Sequence, residues 1–200
     1  MTSWVALSTI LFFFAFAAKP SPSGHEHETE QPAAVNVDLW DYCDPASFNA
    51  VLGDGACVRD TSTGAITFGG FNAELGLEKS VGAWRFVPAT TKNDEGINFT
   101  LRSLGGETHT FTRVKKFGGG FVAPLNAASG NPNPAPECAQ VVDGKLVPQP
   151  PSANNVFVPA GAVVPGPQVG EDDENVKFQC CIHPWMRLTV HASHKHEDGH

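Results

Sequence analysis

Basic residues are scarce in this chain: 13 Lys and Arg stand against 21 Asp and Glu, a formal net charge of −8 at pH 7. Phosphate binding needs Lys and Arg in excess on one face, so a nucleic-acid partner is excluded and the charge is read as an aid to solubility. Long apolar runs are missing as well. The longest, over 4–18, falls short of the about 20 residues that cross a bilayer, and no later segment approaches it. The polar C-terminus also excludes a lipid-anchor tail signal, so no stable membrane association is expected. Sulfur is sparse: Met1 and Met186 are the two methionines, and the cysteines, Cys43, Cys57, Cys138, Cys180 and Cys181, are odd in number.

The apolar run ends on the small-residue pattern Ala15-Phe16-Ala17, which reads as a secretory signal over 1–18, cleaved after residue 17 or 18. No Lys or Arg precedes the run, which leaves an uncleaved anchor as the alternative. Export to the periplasm, cell surface or medium makes the cysteines interpretable. In an oxidising space pairs close, and the odd cysteine must be free, intermolecular or chemically employed.

Four regions follow. Residues 19–34 are polar and Pro-bearing, a disordered spacer. Residues 35–80 read as a small helical extension. Asp44-Pro45 supplies an N-cap and a first-turn proline, with Phe48, Val51 and Leu52 on one face; Phe71 and Leu75 form a second apolar pair at i, i+4. Cys43 and Cys57 bracket the first helix closely enough to pair, a closure worth roughly 3 kcal/mol. From 83 to 192 the texture changes to short alternating runs between Gly, Pro and Asn: AWRFVP, GINFTLRS, THTFTRV, NNVFVP, NVKFQC and MRLTVHA. That is the pattern of an all-β antiparallel sandwich. The Pro- and Asn-rich stretch over 124–154 is expected to be a long irregular loop, and 193–200 a His-rich tail.

Within NVKFQCC the period of two puts Val176, Phe178 and Cys180 on one face and Lys177, Gln179 and Cys181 on the other. Cys180 therefore points inward. In the last strand Met186, Leu188 and Val190 share a face, with His183 on the turn between the two runs. A thiolate, an imidazole and a thioether converging across a short loop suit one copper ion. A further histidine is needed from a neighbouring strand, and His109 in THTFTRV is the candidate. The remaining six, His25, His27, His191, His194, His196 and His200, are terminal and poorly placed for a buried site.

The order Cys180-x-x-His183-x-x-Met186, before a final strand and after a histidine on a middle strand, resembles the small blue copper proteins of the cupredoxin family. The ligand loop is closest to that of amicyanin- and plastocyanin-like members. The resemblance covers about 83–192 and implies a Greek-key cupredoxin β-sandwich with one type 1 copper. It further implies His109, Cys180 and His183 in the trigonal plane and Met186 as the axial ligand. Where family members often carry Asn after the first histidine, this chain has Thr110; its backbone N–H remains available to the Cys180 sulfur, while a side-chain brace is in doubt. Ile182 replaces the proline of amicyanin and adds a second backbone donor, so the potential is expected on the high side.

Zinc would accept the two histidines and the thiolate, but a thioether is a poor zinc ligand. A binuclear copper site needs two cysteines four apart, and a multicopper oxidase needs His-x-His pairs in the folded region; neither is present. Cys138 and Cys181 are expected to pair and pin the long loop. Asn98-Phe99-Thr100 is a sequon on a polar strand face, and the glycines after Phe117 form a turn rather than a phosphate loop. The expected function is one-electron transfer by a non-enzymatic monomer. A redox partner is expected to dock on an apolar patch where the edge of His183 reaches the surface beside Pro184 and Trp185. The alternative is storage or delivery of exported copper, with the His-rich ends collecting ions.

Overall fold

The computed structural model describes residues 31–60 and 63–192; the signal segment, most of the spacer and the His-rich tail lie outside them. Eleven strands and three helices are formed among the described residues. Strand β1 (Ala33–Trp40) leads into helices α1 (Pro45–Leu52) and α2 (Phe68–Glu78). Strands β2 (Arg85–Val87), β3 (Thr90–Asn93), β4 (Ile97–Ser103) and β5 (His109–Val114) follow. Then come helix α3 (Ala123–Ala128), β6 (Ala139–Val142), β7 (Lys145–Pro148), β8 (Asn155–Val158), β9 (Val163–Val169), β10 (Lys177–Gln179) and β11 (Arg187–Ala192).

One sheet has the order β2-β1-β4-β9 and the other β3-β11-β10-β5-β8, with β6-β7 a separate hairpin. Pairing is antiparallel except for β1 with β4 and β11 with β3. Alternation drives the sandwich: in β4, Ile97, Phe99 and Leu101 are buried while Asn98 of the sequon is exposed. Phe86 and Phe99 of one sheet meet Phe111 and Phe178 of the other. Phe111 stacks on Phe178 at 4.4 Å, and Phe99 meets both edge-on at 5.4 and 5.3 Å. These aromatics weld the layers directly beneath the strand ends that carry the candidate ligands.

The helical region departs from the expected extension. Residues 33–40 form a full strand between β2 and β4, with Val37 and Leu39 buried, so the sandwich begins at 33 and the helices are an insertion between two strands of one sheet. The cap at α1 is as expected: Asp44 accepts a hydrogen bond from the Ser47 N–H at 2.9 Å, with Pro45 opening the helix. The apolar face is narrower than expected, because Val51 and Leu52 are 60% and 56% exposed and Phe48 alone faces inward. Phe71 and Leu75 of α2 are buried, and the Cys43–Cys57 disulfide staples the insertion.

The stretch over 124–154 is also more regular than expected. It holds the end of α3 and the β6–β7 hairpin, whose turn uses Asp143 and Gly144 at φ 50° and 74°. Asp-Gly between apolar residues is a strong hairpin signal, outweighed in the sequence reading by the surrounding prolines. Strand β9 carries Pro165 and Pro167 and survives because it lies at a sheet edge, with a register shift against β4. The Cys138–Cys181 disulfide pins this region to the end of β10.

Candidate metal centre

Strand β10 pairs with β5 on one side and β11 on the other, which brings His109 at the start of β5 next to the residue that follows β10, Cys180. Both are completely buried. The loop between β10 and β11 is closed by its own backbone: Cys180 N–H donates to the Met186 carbonyl at 3.0 Å and Met186 N–H to the His183 carbonyl at 2.9 Å. This closure turns His183 back over Cys180.

The sulfur of Cys180 lies 4.0 Å from His109 Nδ1 and 3.9 Å from His183 Nδ1, and the three atoms lie within 4.8 Å of one another. Bonds of about 2.0–2.3 Å from one ion to nitrogen and sulfur separate such ligands by roughly 3.5–4 Å, so the three donors fit a single ion. Met186 is buried in the same core cluster as Cys180, and its backbone closes the loop. The sulfur accepts N–H bonds from Thr110 and His183, each at 3.4 Å. The second donor is thus His183 rather than the expected Ile182, because the turn swings the later amide over the sulfur. The Thr110 hydroxyl accepts from Cys181 N–H at 2.7 Å and supplies the inter-loop brace that the missing Asn left in doubt.

Two carboxylates that the sequence reading passed over stand behind the imidazoles. Asp41 Oδ2 is 2.9 Å from His109 Nε2, with both side chains fully buried. Glu107 Oε2 is 3.5 Å from His183 Nε2 and accepts the Trp84 indole N–H at 2.5 Å. Each ring therefore turns one nitrogen to a carboxylate and the other to the thiolate. A signal existed: extending the alternation of β1 gives Val37, Leu39, Asp41, and that of β5 gives Glu107, His109, Phe111.

The charges are coupled. Burial alone would push the Cys180 thiol up, but the two imidazoles outweigh it and hold the thiol well below its ordinary value. Burial likewise opposes charge on His109, yet Asp41 and Cys180 push its pKa up to about 10. Asp41 is held below the usual carboxylate range: desolvation is overcome by His109 and by the Gly106 and Glu107 N–H groups. Glu107 is raised by its own desolvation, with His183 and Trp84 opposing.

The surface of the site differs from expectation. His183 is 3% exposed and Pro184 is buried. The helical insertion covers the ring: Phe71 and Trp84 approach it at 6.5 Å, and Trp185, half-buried, at 5.4 Å. An opening persists on the other side, a cleft of about 500 Å³ lined by Glu107, His183, Ile182, Val58 and Pro159. His191 is exposed on β11.

No family model matches the chain, and no curated protein matches it. Among solved structures, a "Novel Purple Cupredoxin from Nitrosopumilus maritimus" is similar at 16% identity, over 61% of this chain and 93% of that one, with a TM-score of 0.30. That overlap is too loose for residue correspondences. The structure itself is a two-sheet β-sandwich with a Cys-His loop between its last two strands, facing a histidine on the neighbouring strand. The buried His-Cys-His group fits copper. Two disulfides are compatible with an extracytoplasmic protein, and no helix among the described residues is long and apolar enough to cross a membrane.

Proposed function

We propose that the protein is an exported carrier of single electrons built around one type 1 copper ion, held by His109, Cys180 and His183 with Met186 as the axial ligand. The observation that carries this reading is the brace around the thiolate. Cys180 is buried, accepts two backbone N–H bonds, and sits between two rings whose far nitrogens face carboxylates. Ligands held that tightly keep their positions when the charge of the bound ion changes, which suits electron transfer without substrate chemistry. Bound copper supplies the one-electron couple. The chain fixes its ligands, excludes water and offers the Trp185 face, whose ring touches both His183 and Phe71, as the place where a redox partner docks.

Storage or delivery of copper is the second reading. The aromatic cover over His183 favours it, since a closed site retains an ion. Copper loading followed by a visible spectrum and voltammetry separates the two. A carrier gives an intense charge-transfer band and a fast, reversible one-electron wave. Uptake without a reversible wave sinks the carrier.

Metal uptake should also report the state of His109. Below pH about 10 that ring carries a proton which an incoming ion must displace. Affinity should therefore rise by about tenfold per pH unit from neutrality toward pH 10 and level off above it. Calorimetry in buffers of different ionisation enthalpy measures the released proton; an affinity flat between pH 7 and 9 counts against this pairing.

A further inference from the structure

Asp41 is a buried anion with every acceptor direction in use. Its Oδ1 accepts N–H bonds from Gly106 at 2.9 Å and Cys43 at 3.4 Å; its Oδ2 accepts from Glu107 N–H at 3.1 Å and faces His109 Nε2 at 2.9 Å. The turn is shaped around it, since a Cβ on Gly105 would lie 1.8 Å from Oδ2. An ionised carboxylate can only accept, so His109 Nε2 must be the donor and Nδ1 is left directed at Cys180. The Cys43–Cys57 disulfide packs against the same turn, since a Cβ on Gly106 would lie 2.8 and 2.9 Å from its two sulfurs.

Resting on the copper reading above, we propose that Asp41 is a positioning residue of the metal centre, fixing the orientation and tautomer of His109 and lowering the reduction potential. The reason is electrostatic. A fixed negative charge one imidazole away, where water cannot screen it, favours the more highly charged Cu(II) over Cu(I). This opposes the two N–H bonds to the Cys180 sulfur, which favour the reduced state, so the high potential expected from those bonds alone is moderated from the opposite side of His109.

The test is voltammetry on the copper-loaded full chain, comparing wild type with Asp41→Asn. Glu78→Gln is the control, removing the same formal charge from an exposed position. Asp41→Asn should keep a thiolate band and shift the Cu(I)/Cu(II) ratio at fixed potential at least tenfold toward Cu(I), a rise of about 59 mV. Glu78→Gln should shift it far less. Equal potentials in wild type and Asp41→Asn, with the band intact, overturn the proposal and leave the copper reading standing; a wild type that takes up no copper removes both.

Should Asp41→Asn fail to fold, the diamagnetic Cu(I) wild type decides. Nitrogen-15 NMR should show a slowly exchanging proton on His109 Nε2 close to the Glu107 amide proton. A bare Nε2, or a rapidly exchanging one, overturns the assignment.

Discussion

Replacing Cys180 with serine should abolish the intense visible band expected of the copper-loaded protein, while replacing Cys181 with serine should keep it. The band requires charge transfer from a thiolate, and among the described residues Cys180 is the one cysteine outside a disulfide. Its neighbour is chemically spent: Cys181 is bonded to Cys138 across 43 residues and packs in a separate small cluster with Val114 and Ala135. The two variants fail in different currencies. Cys180→Ser exchanges a soft anionic ligand for a hard neutral one and removes the partner of His109, so copper affinity falls with the colour. Cys181→Ser leaves the centre in place but frees the 124–154 region, with a loss of about 2–5 kcal/mol in stability. Absorption spectra and chemical denaturation of both variants measure this separation. Equal loss of the band in the two would sink the assignment of strand faces.

That assignment was legible because it rests on local periodicity. The alternation from Val176 to Cys180 and the spacing to His183 and Met186 fall within eleven consecutive residues, β10 and the loop that follows it, where sequence distance and spatial distance nearly coincide; His109, the other candidate ligand, comes from β5. Asp41 and Glu107 escaped notice for a different reason. Asp41 continues a strand that runs straight into a capped helix, and the cap at Asp44 drew the whole segment into the helical reading. Glu107 lies on the turn before β5, where a carboxylate ordinarily reads as solvated, and only tertiary packing against Trp84 buries it. Val51 and Leu52 failed in the other direction. Their helical spacing was right, but the short insertion has nothing to lay over them, so pattern alone predicted burial that no neighbour supplies.

The same insertion gives the second large effect, at Phe71. This ring contacts Phe48 at 5.6 Å, Trp84 at 4.9 Å, Trp185 at 5.9 Å and His183 at 6.5 Å, so it stands at the centre of the cover over the histidine expected at the surface. Phe71→Ala should destabilise the protein by about 3–5 kcal/mol, the ordinary cost of removing a buried phenyl ring. It packs against the His183 ring but supplies no donor atom to the site, so the visible band should survive. The cover, however, loses its central ring, and copper should pass to an external chelator at least tenfold faster. Faster release could also follow from general destabilisation, and Leu101→Ala separates the causes. Leu101 is fully buried in β4, in the sheet that carries none of the candidate ligands, and its truncation costs a comparable about 2–5 kcal/mol. If the insertion closes the site, Phe71→Ala releases copper faster than Leu101→Ala at matched stability. Equal release from the two would mean that the ion leaves through the cleft beside Glu107 or by global unfolding, and that the aromatic cover serves stability alone.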